Sequence, residues 1–344
     1  MNSIRFIPEW DHTDYVMLAL PHAGTDWNYI LDEAIGQYRR LVSALTGEGT
    51  RVLLLCPDAT EAREIIAECD RGLITYVETD YNDTWTRDYG MLSVERNGRL
   101  RALDFGFNAW GLKFASDKDN LVNLHLERKG LFAPGAYRNE RDFILEGGSV
   151  ETDGNGTILT TTRCLTSPNR NGGLSKPELN DILERRLGAQ HVLWLDHGAL
   201  EGDDTDSHID TLARLAPDDT IVFTGTRDFD DPMFEPLLAM RAQLTLFRTP
   251  DGNPYNLVEL PLPDPVTDPD GCRLPATYAN YLVANGVIFM PTYSQRDKDE
   301  LAMRSIRIAY PTHKVVGVEC LTLLRQHGSL HCATMQIPSG IINL

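Results

Sequence analysis

Apolar residues gather along the chain in short runs that alternate with longer stretches of helical spacing. Tyr15-Val16-Met17-Leu18-Ala19-Leu20 reads as a buried strand, Trp27 to Leu45 carries a helical period, and Arg51-Val52-Leu53-Leu54-Leu55-Cys56 is a second strand closed by Pro57. Helix-then-strand pairs recur downstream. The Ser175-Lys176-Pro177 start signal opens a helix to Leu187 ahead of the strand His191–Leu195, and Arg296 to Ala309 precedes the strand Lys314–Val318. Asn97-Gly98, Asn155-Gly156 and Asn285-Gly286 each separate two strand-like runs, which predicts three hairpins.

A longer period shows when the polar residues that open these hairpins are aligned. Asp88, Glu146, His208, Asn280 and Cys332 stand 58, 62, 72 and 52 residues apart. A strand-strand-helix-strand unit repeated at this interval predicts a repeat architecture rather than a doubly wound sheet. Five such units around an axis would bring five hairpin-opening residues to one centre. With no linker, low-complexity segment or shift of composition, residues 1–344 read as a single domain.

Composition narrows the partners. The 344 residues are 42% hydrophobic and 24% charged, enough to build a large core, with 32 Lys plus Arg against 50 Asp plus Glu and a net charge of −18. That excess repels a phosphate backbone and no basic run offsets it, so nucleic acid is not an expected partner. A small cation suits the field, although charge of this size also serves solubility alone. The first residues lack the basic and apolar regions of a signal peptide, and no apolar stretch could span a bilayer. The six cysteines, widely spaced and without a C-x-x-C pair, read as free thiols of a reduced, cytoplasmic protein.

Four segments carry candidate chemistry. Trp85-Thr86-Arg87-Asp88 places an indole beside a carboxylate, which suits a cation; its alternative is an Arg87/Asp88 pair with Trp85 in the core. Glu146-Gly147-Gly148 sets an acid at the end of an apolar run, before two glycines that allow close approach by a ligand or simply form a bulge. In Asp203-Asp204-Thr205-Asp206-Ser207-His208-Ile209-Asp210, strand alternation would put His208 and Asp210 on one face, as base and acid or as two metal ligands; an acidic surface loop is the plain alternative. Cys332, after His331, reads either as a small buried hydrophobe or as a nucleophile with a remote His and acids.

In order, Trp85-x-Arg87-Asp88, Glu146-Gly147-Gly148, the His208-x-Asp210 segment and His331-Cys332 resemble the motifs of the agmatine deiminase family, also described as Porphyromonas-type peptidylarginine deiminases. The likeness runs from about residue 14 to about residue 340. It implies a guanidine-modifying α/β fold, the pentein, a five-bladed propeller with pseudo-fivefold symmetry and the site on its axis. It implies Cys332 as nucleophile, His208 as general acid/base, Glu146 as the acid orienting it, Asp88 and Asp210 as clamps on the guanidinium, Trp85 as an aromatic wall and Asp204 as reader of the distal amine. One departure is visible: many relatives carry Asp-Glu-Thr-Asn-Gly-His where this chain has Asp203-Asp204-Thr205-Asp206-Ser207-His208, an acid one methylene shorter. The implied reaction converts agmatine to N-carbamoylputrescine and ammonia, a step toward polyamines, with no metal or organic cofactor and with a homodimer as one possible assembly. Peptidyl-arginine or free arginine is the alternative substrate, and a metal-dependent hydrolase built on His208 and Asp210 the alternative chemistry.

Overall fold

The structure, a computed structural model, describes residues 4–343. Its strands in chain order are β1 (Ile4–Phe6), β2 (Thr13–Ala19), β3 (Arg51–Cys56), β4 (Ile74–Glu78), β5 (Leu92–Arg96), β6 (Arg99–Gly106), β7 (Tyr137–Ile144), β8 (Val150–Thr152), β9 (Thr157–Thr161), β10 (His191–Leu195), β11 (Ala213–Ala216), β12 (Thr220–Gly225), β13 (Asn256–Pro261), β14 (Leu282–Ala284), β15 (Val287–Thr292), β16 (Lys314–Glu319) and β17 (Met335–Pro338). They form five separate open sheets in a mixed α/β fold: β1-β5-β6-β7, β10-β9-β8, β11-β12-β13, β14-β15-β16 and β17-β2-β3-β4.

Each sheet contains the same unit. An antiparallel pair is followed by a helix that returns the chain to a parallel third strand, as in β8-β9 and β9-β10, or β14-β15 and β15-β16. Returning to a parallel neighbour needs a crossover, which is why a helix lies between those strands and only a turn lies within the hairpins. The last unit is cut by the termini: β17 pairs antiparallel with β2, and β2 with β3 in parallel. The repeat predicted from the spacing is therefore present as five sheets of like order.

Local sequence explains the elements. The helix Leu31–Gly47 buries Ala34, Tyr38, Leu41, Val42 and Leu45, one stripe at helical spacing, against β3, whose Val52, Leu53, Leu54 and Leu55 have no exposed surface. It begins at Leu31 rather than Trp27, because Asp26–Ile30 winds as a 3₁₀ turn. The helix Lys176–Leu187 is closed at its start by a reciprocal Ser175/Glu178 capping box. Asn97-Gly98 and Asn285-Gly286 take the left-handed pair that a two-residue hairpin requires. The turn at Asn155-Gly156 is longer, with Gly154 and Gly156 left-handed, and a fourth hairpin turns on Asp218 and Asp219, both left-handed without glycine.

One expectation fails. His208 and Asp210 are not on a strand: His208 precedes a 3₁₀ turn, Ile209–Thr211, and the sheet begins only at Ala213. The preceding Asp206 and Ser207 are both left-handed, at φ 66° and 65°, so the acidic run forms a tight turn whose own hydrogen bonds outweigh strand alternation.

Candidate functional site

Asp88, Glu146, His208, Asn280 and Cys332 each lie two to five residues before the first strand of one of the five sheets. That common position puts them within contact of one another although they span the chain. His208 Nε2 lies 3.1 Å from Glu146 Oε2 and its Nδ1 3.5 Å from Asp88 Oδ1. Cys332 Sγ is 3.4 Å from Asn280 Oδ1 and 3.9 Å from Asp210 Oδ2. All are buried.

Gly148 marks the centre. A Cβ on it would come 2.7 Å from His208 Nδ1, 2.8 Å from Asp88 Oδ1 and 3.0 Å from Asp210 Oδ2, so three functional groups face one point that only glycine leaves open. The Gly148 N–H donates to Asp88 Oδ1, and the Trp110 indole N–H donates to Asp88 Oδ2 at 3.0 Å. Asp210 Oδ2 accepts from His331 Nδ1 at 2.7 Å, while its Oδ1 is buried with no hydrogen-bond partner among the described residues. A buried carboxylate oxygen in that condition is a place for a donor from outside the chain.

Burial dominates the electrostatics, and the neighbours set the outcome. Burial, with Asp210 and Glu146 nearby, pushes the Asp88 carboxyl up to about 6 against the pull of His208. Burial disfavours the charged form of Glu146 too, but His208 and Arg170 more than offset it and hold the acid below its ordinary range. For His208, burial opposes the charge, yet Asp88, Cys164 and Glu146 together raise the imidazole well above its usual value. Burial and the carboxylates of Asp210 and Asp88 raise the Cys332 thiol well above its usual value. Without a ligand the site thus holds an imidazolium and a protonated thiol.

A cavity of about 320 Å³ leads to this centre, walled by Trp85, Asp88, Trp110, His208 and Cys332 at the inner end and by Asp26, Asp83, Asp204, Arg325 and His327 farther out. Trp85 packs against Trp27, and its ring fills the space a Cβ on Gly328 would need. Burial pushes the Asp83 carboxyl up to about 7 and raises that of Asp204.

All seven residues singled out in the sequence (Trp85, Asp88, Glu146, Asp204, His208, Asp210 and Cys332) are at this site or line its cavity. Asn280 joins them from the same spacing, and others, Arg170 and the ion pairs around Glu9, were not anticipated. Arg170, fully buried, donates from Nε to both oxygens of Glu146 at 2.7 and 3.0 Å. Asn280 Oδ1 accepts from the backbone N–H groups of His331 and Cys332 as well as from the thiol, which fixes the turn that carries Cys332. His331 passes from Asp210 to Glu9, which also pairs with Arg87 and Arg214, and Arg214 in turn pairs with Glu151. A buried acid needs a partner, and that rule could have prompted a search for arginines; which arginine serves is decided by contacts across the chain.

Two groups bring three metal-type ligands together, Glu146/Cys164/His208 and Glu9/Glu151/His331. In both the carboxylates are already engaged by arginine, Arg170 in the first and Arg214 in the second, so a dication there would meet a fixed positive charge. These donor sets fit ion pairing better than metal binding.

Five like α/β sheets have leading turns that bring a cysteine, a histidine and three carboxylates together in one compact, buried, acidic cluster. The chain belongs to the Porphyromonas-type peptidyl-arginine deiminase family, whose model matches residues 5–338. A Shewanella protein named "Putative agmatine deiminase" is 32% identical, with 96% of this chain and 93% of that protein covered. A C. jejuni agmatine deiminase, solved as a cysteine-to-serine variant with substrate bound, is 38% identical at a TM-score of 0.91, covering 99% and 98% of the two chains. A Porphyromonas gingivalis structure named "Putative Arginine Deiminase" is 44% identical at a TM-score of 0.93, covering 99% and 100%. No helix among the described residues is long and apolar enough to cross a membrane.

Proposed function

We propose that the chain is a C–N hydrolase of guanidines whose substrate is agmatine, with Cys332 as nucleophile. The observation that carries this reading is the convergence of Cys332, His208, Asp88 and Asp210 around the point left open by Gly148. A guanidinium spreads its charge over three nitrogens and is a poor electrophile. Asp88 and the free oxygen of Asp210 would clamp it flat by charge-assisted bonds, within reach of the thiol.

The arriving cation offsets the two carboxylates that hold the thiol protonated, so the thiol gives its proton to solvent as the substrate binds and the thiolate forms. The thiolate attacks the guanidinium carbon and the C–S bond forms. His208, kept charged by Glu146 and Asp88, gives its proton to the departing nitrogen, the C–N bond breaks and ammonia leaves. An S-alkylthiouronium remains on Cys332. His208, now neutral, takes a proton from water and the C–O bond forms; the C–S bond then breaks, the adduct's hydroxyl proton returns to the departing sulfur, and the ureido product N-carbamoylputrescine leaves.

Agmatine is favoured by the far end of the cavity, where Asp26, Asp83 and Asp204 face the position of a distal amine. An ammonium there would offset the burial that raises the Asp83 and Asp204 carboxyls and so favour their charged forms. The second reading, free or peptidyl arginine, rests on Arg325 in the same wall, which could meet a carboxylate, and on the arginine named for the P. gingivalis relative. Ammonia release from agmatine, arginine and a blocked arginyl peptide, each with and without chelator, separates these. Agmatine is expected to have the highest kcat/KM and chelator to leave it unchanged; higher kcat/KM for either arginine compound overturns the substrate, and loss with chelator overturns the thiol chemistry.

The acidic limb of the pH profile follows from Asp88. Its carboxyl must be ionised to clamp a cation, and free it titrates at about 6. Activity as kcat/KM is therefore expected to fall as pH drops through about 6, while the limb in kcat lies lower because the bound cation keeps Asp88 ionised. A kcat/KM that stays level well below that pH would remove Asp88 from the role.

The five sheets are read as blades about one axis, with residues 1–344 acting as a single domain; the support is the antiparallel-then-parallel three-strand unit that each sheet contains and the shared position of the site residues. A cytoplasmic location and a homodimer complete the reading. Free cysteines at all six positions are in keeping with a reducing compartment.

A further inference from the structure

Arg170 lies in the short turn Pro168–Asn171, away from every motif above, and its side chain has no exposed surface. Its planar fork divides between two places. Nε holds Glu146, while Nη1 donates to Asp206 Oδ2 at 2.6 Å and Nη2 to the Thr205 carbonyl at 2.8 Å. Thr205 and Asp206 belong to the loop whose Asp204 lines the outer cavity and whose left-handed Asp206 and Ser207 lead into His208. Non-glycine residues in that conformation are uncommon and persist where neighbours fix them.

A third loop joins them. Lys113 bonds both the Asp204 carbonyl and Asp206 Oδ1. It follows Ala109, Trp110, Gly111 and Leu112, four consecutive residues at positive φ that bring the Trp110 indole to Asp88. A Cβ on Gly111 would stand 3.7 Å from Arg170 Nη1 and 3.9 Å from Asp206 Oδ2, so the loops meet at the guanidinium of Arg170.

We propose that Arg170 is a positioning residue that couples the outer, amine-reading end of the cavity to the Glu146–His208 pair at the reacting end. This rests on the guanidine hydrolase reading above. A cation engaging Asp204 settles the 203–206 loop; through Asp206 and Thr205 that position reaches the Arg170 fork, and through the fork it reaches Glu146 and His208. The role needs a rigid planar donor set, which lysine lacks.

The test compares agmatine with n-butylguanidine, the same carbon chain without the amine, in wild type, Arg170→Lys, Arg170→Gln and Asp206→Asn, with folded protein quantified by thermal unfolding. Both Arg170 variants are expected to lose about 100-fold in agmatine kcat, with no rescue by lysine. Their preference for agmatine over butylguanidine in kcat/KM should shrink at least about 5-fold. Asp206→Asn keeps a residue that tolerates positive φ and an acceptor for Arg170 but removes the charge of the link; it should shrink the preference by a smaller factor while lowering butylguanidine kcat less than Arg170→Gln does. An unchanged preference in Arg170→Lys and Asp206→Asn, or losses equal to the missing folded fraction, overturns the coupling. In that case wild type still discriminates the two compounds, whereas a wild type that releases ammonia from neither sinks the hydrolase reading and the coupling with it.

Discussion

Cys332→Ser is expected to lower guanidine hydrolysis by at least about 10⁴-fold while leaving agmatine binding within a small factor of wild type. The hydroxyl is nearly isosteric, so Asn280 still pins the turn and the chain still folds. What disappears is an acid weak enough to be buried as a neutral group yet ready to ionise beside a bound cation. Burial and two carboxylates already hold the thiol protonated in the free protein, and a hydroxyl starts several units higher, beyond what one cation can offset. Binding survives because Asp88, Asp210 and the outer acids are untouched. Calorimetric titration with agmatine and an ammonia assay on the same preparation check both halves. Retained turnover would remove Cys332 from the chemistry; loss of binding together with turnover would make it a packing residue.

Gly148→Ala should also be damaging, with no chemical group removed. The added methyl enters the space faced by His208, Asp88 and Asp210, at 2.7, 2.8 and 3.0 Å. Those groups must move apart, and a displacement of about 1 Å in a reacting constellation is worth about 100-fold in rate. A kcat/KM loss of that size or more is expected, with only a modest fall in Tm, since overpacking one methyl costs about 1–3 kcal/mol. Gly147→Ala makes the contrast: its Cβ would meet the Arg87 carbonyl at 2.1 Å, backbone rather than side chain, so folding itself should suffer. Wild-type kcat/KM in a folded Gly148→Ala protein would show that the guanidinium does not sit at that point.

The sequence carries the repeat because each unit begins alike. A polar residue must stop the chain before the first strand of each sheet, and hydrophobic periodicity records where those strands and their helices lie. Asp88, Glu146, His208 and Cys332, singled out with Trp85 and Asp210 by their local chemistry, fall on that spacing together with Asn280, and the family motifs add Asp204. Periodicity misjudged the stretch at His208, since Asp203 and Thr205 hydrogen-bond within the loop and turn an apparent strand into a tight bend. Glu9 and His331 are 322 residues apart and Arg214 and His331 are 117 apart, so no local pattern links them. Arg170 was hidden for the same reason: Pro168-Asn169-Arg170-Asn171 reads as a surface turn, and only the demand of a buried Glu146 for a partner explains why its arginine is inside. The left-handed run from Ala109 to Leu112 has one glycine in four residues, and its conformation is fixed by Trp110 on Asp88 and Lys113 on Asp206 rather than by turn chemistry.

Trapping the enzyme during turnover tests the central claim most directly. Agmatine is mixed with the protein, the reaction is stopped by acid within one turnover, and peptides are weighed by mass spectrometry. A covalent adduct equal to agmatine less ammonia, carried by the peptide that contains Cys332 and missing from Cys332→Ser, is the expected result. Ammonia release from wild type with every cysteine peptide unmodified throughout the first turnover would contradict it.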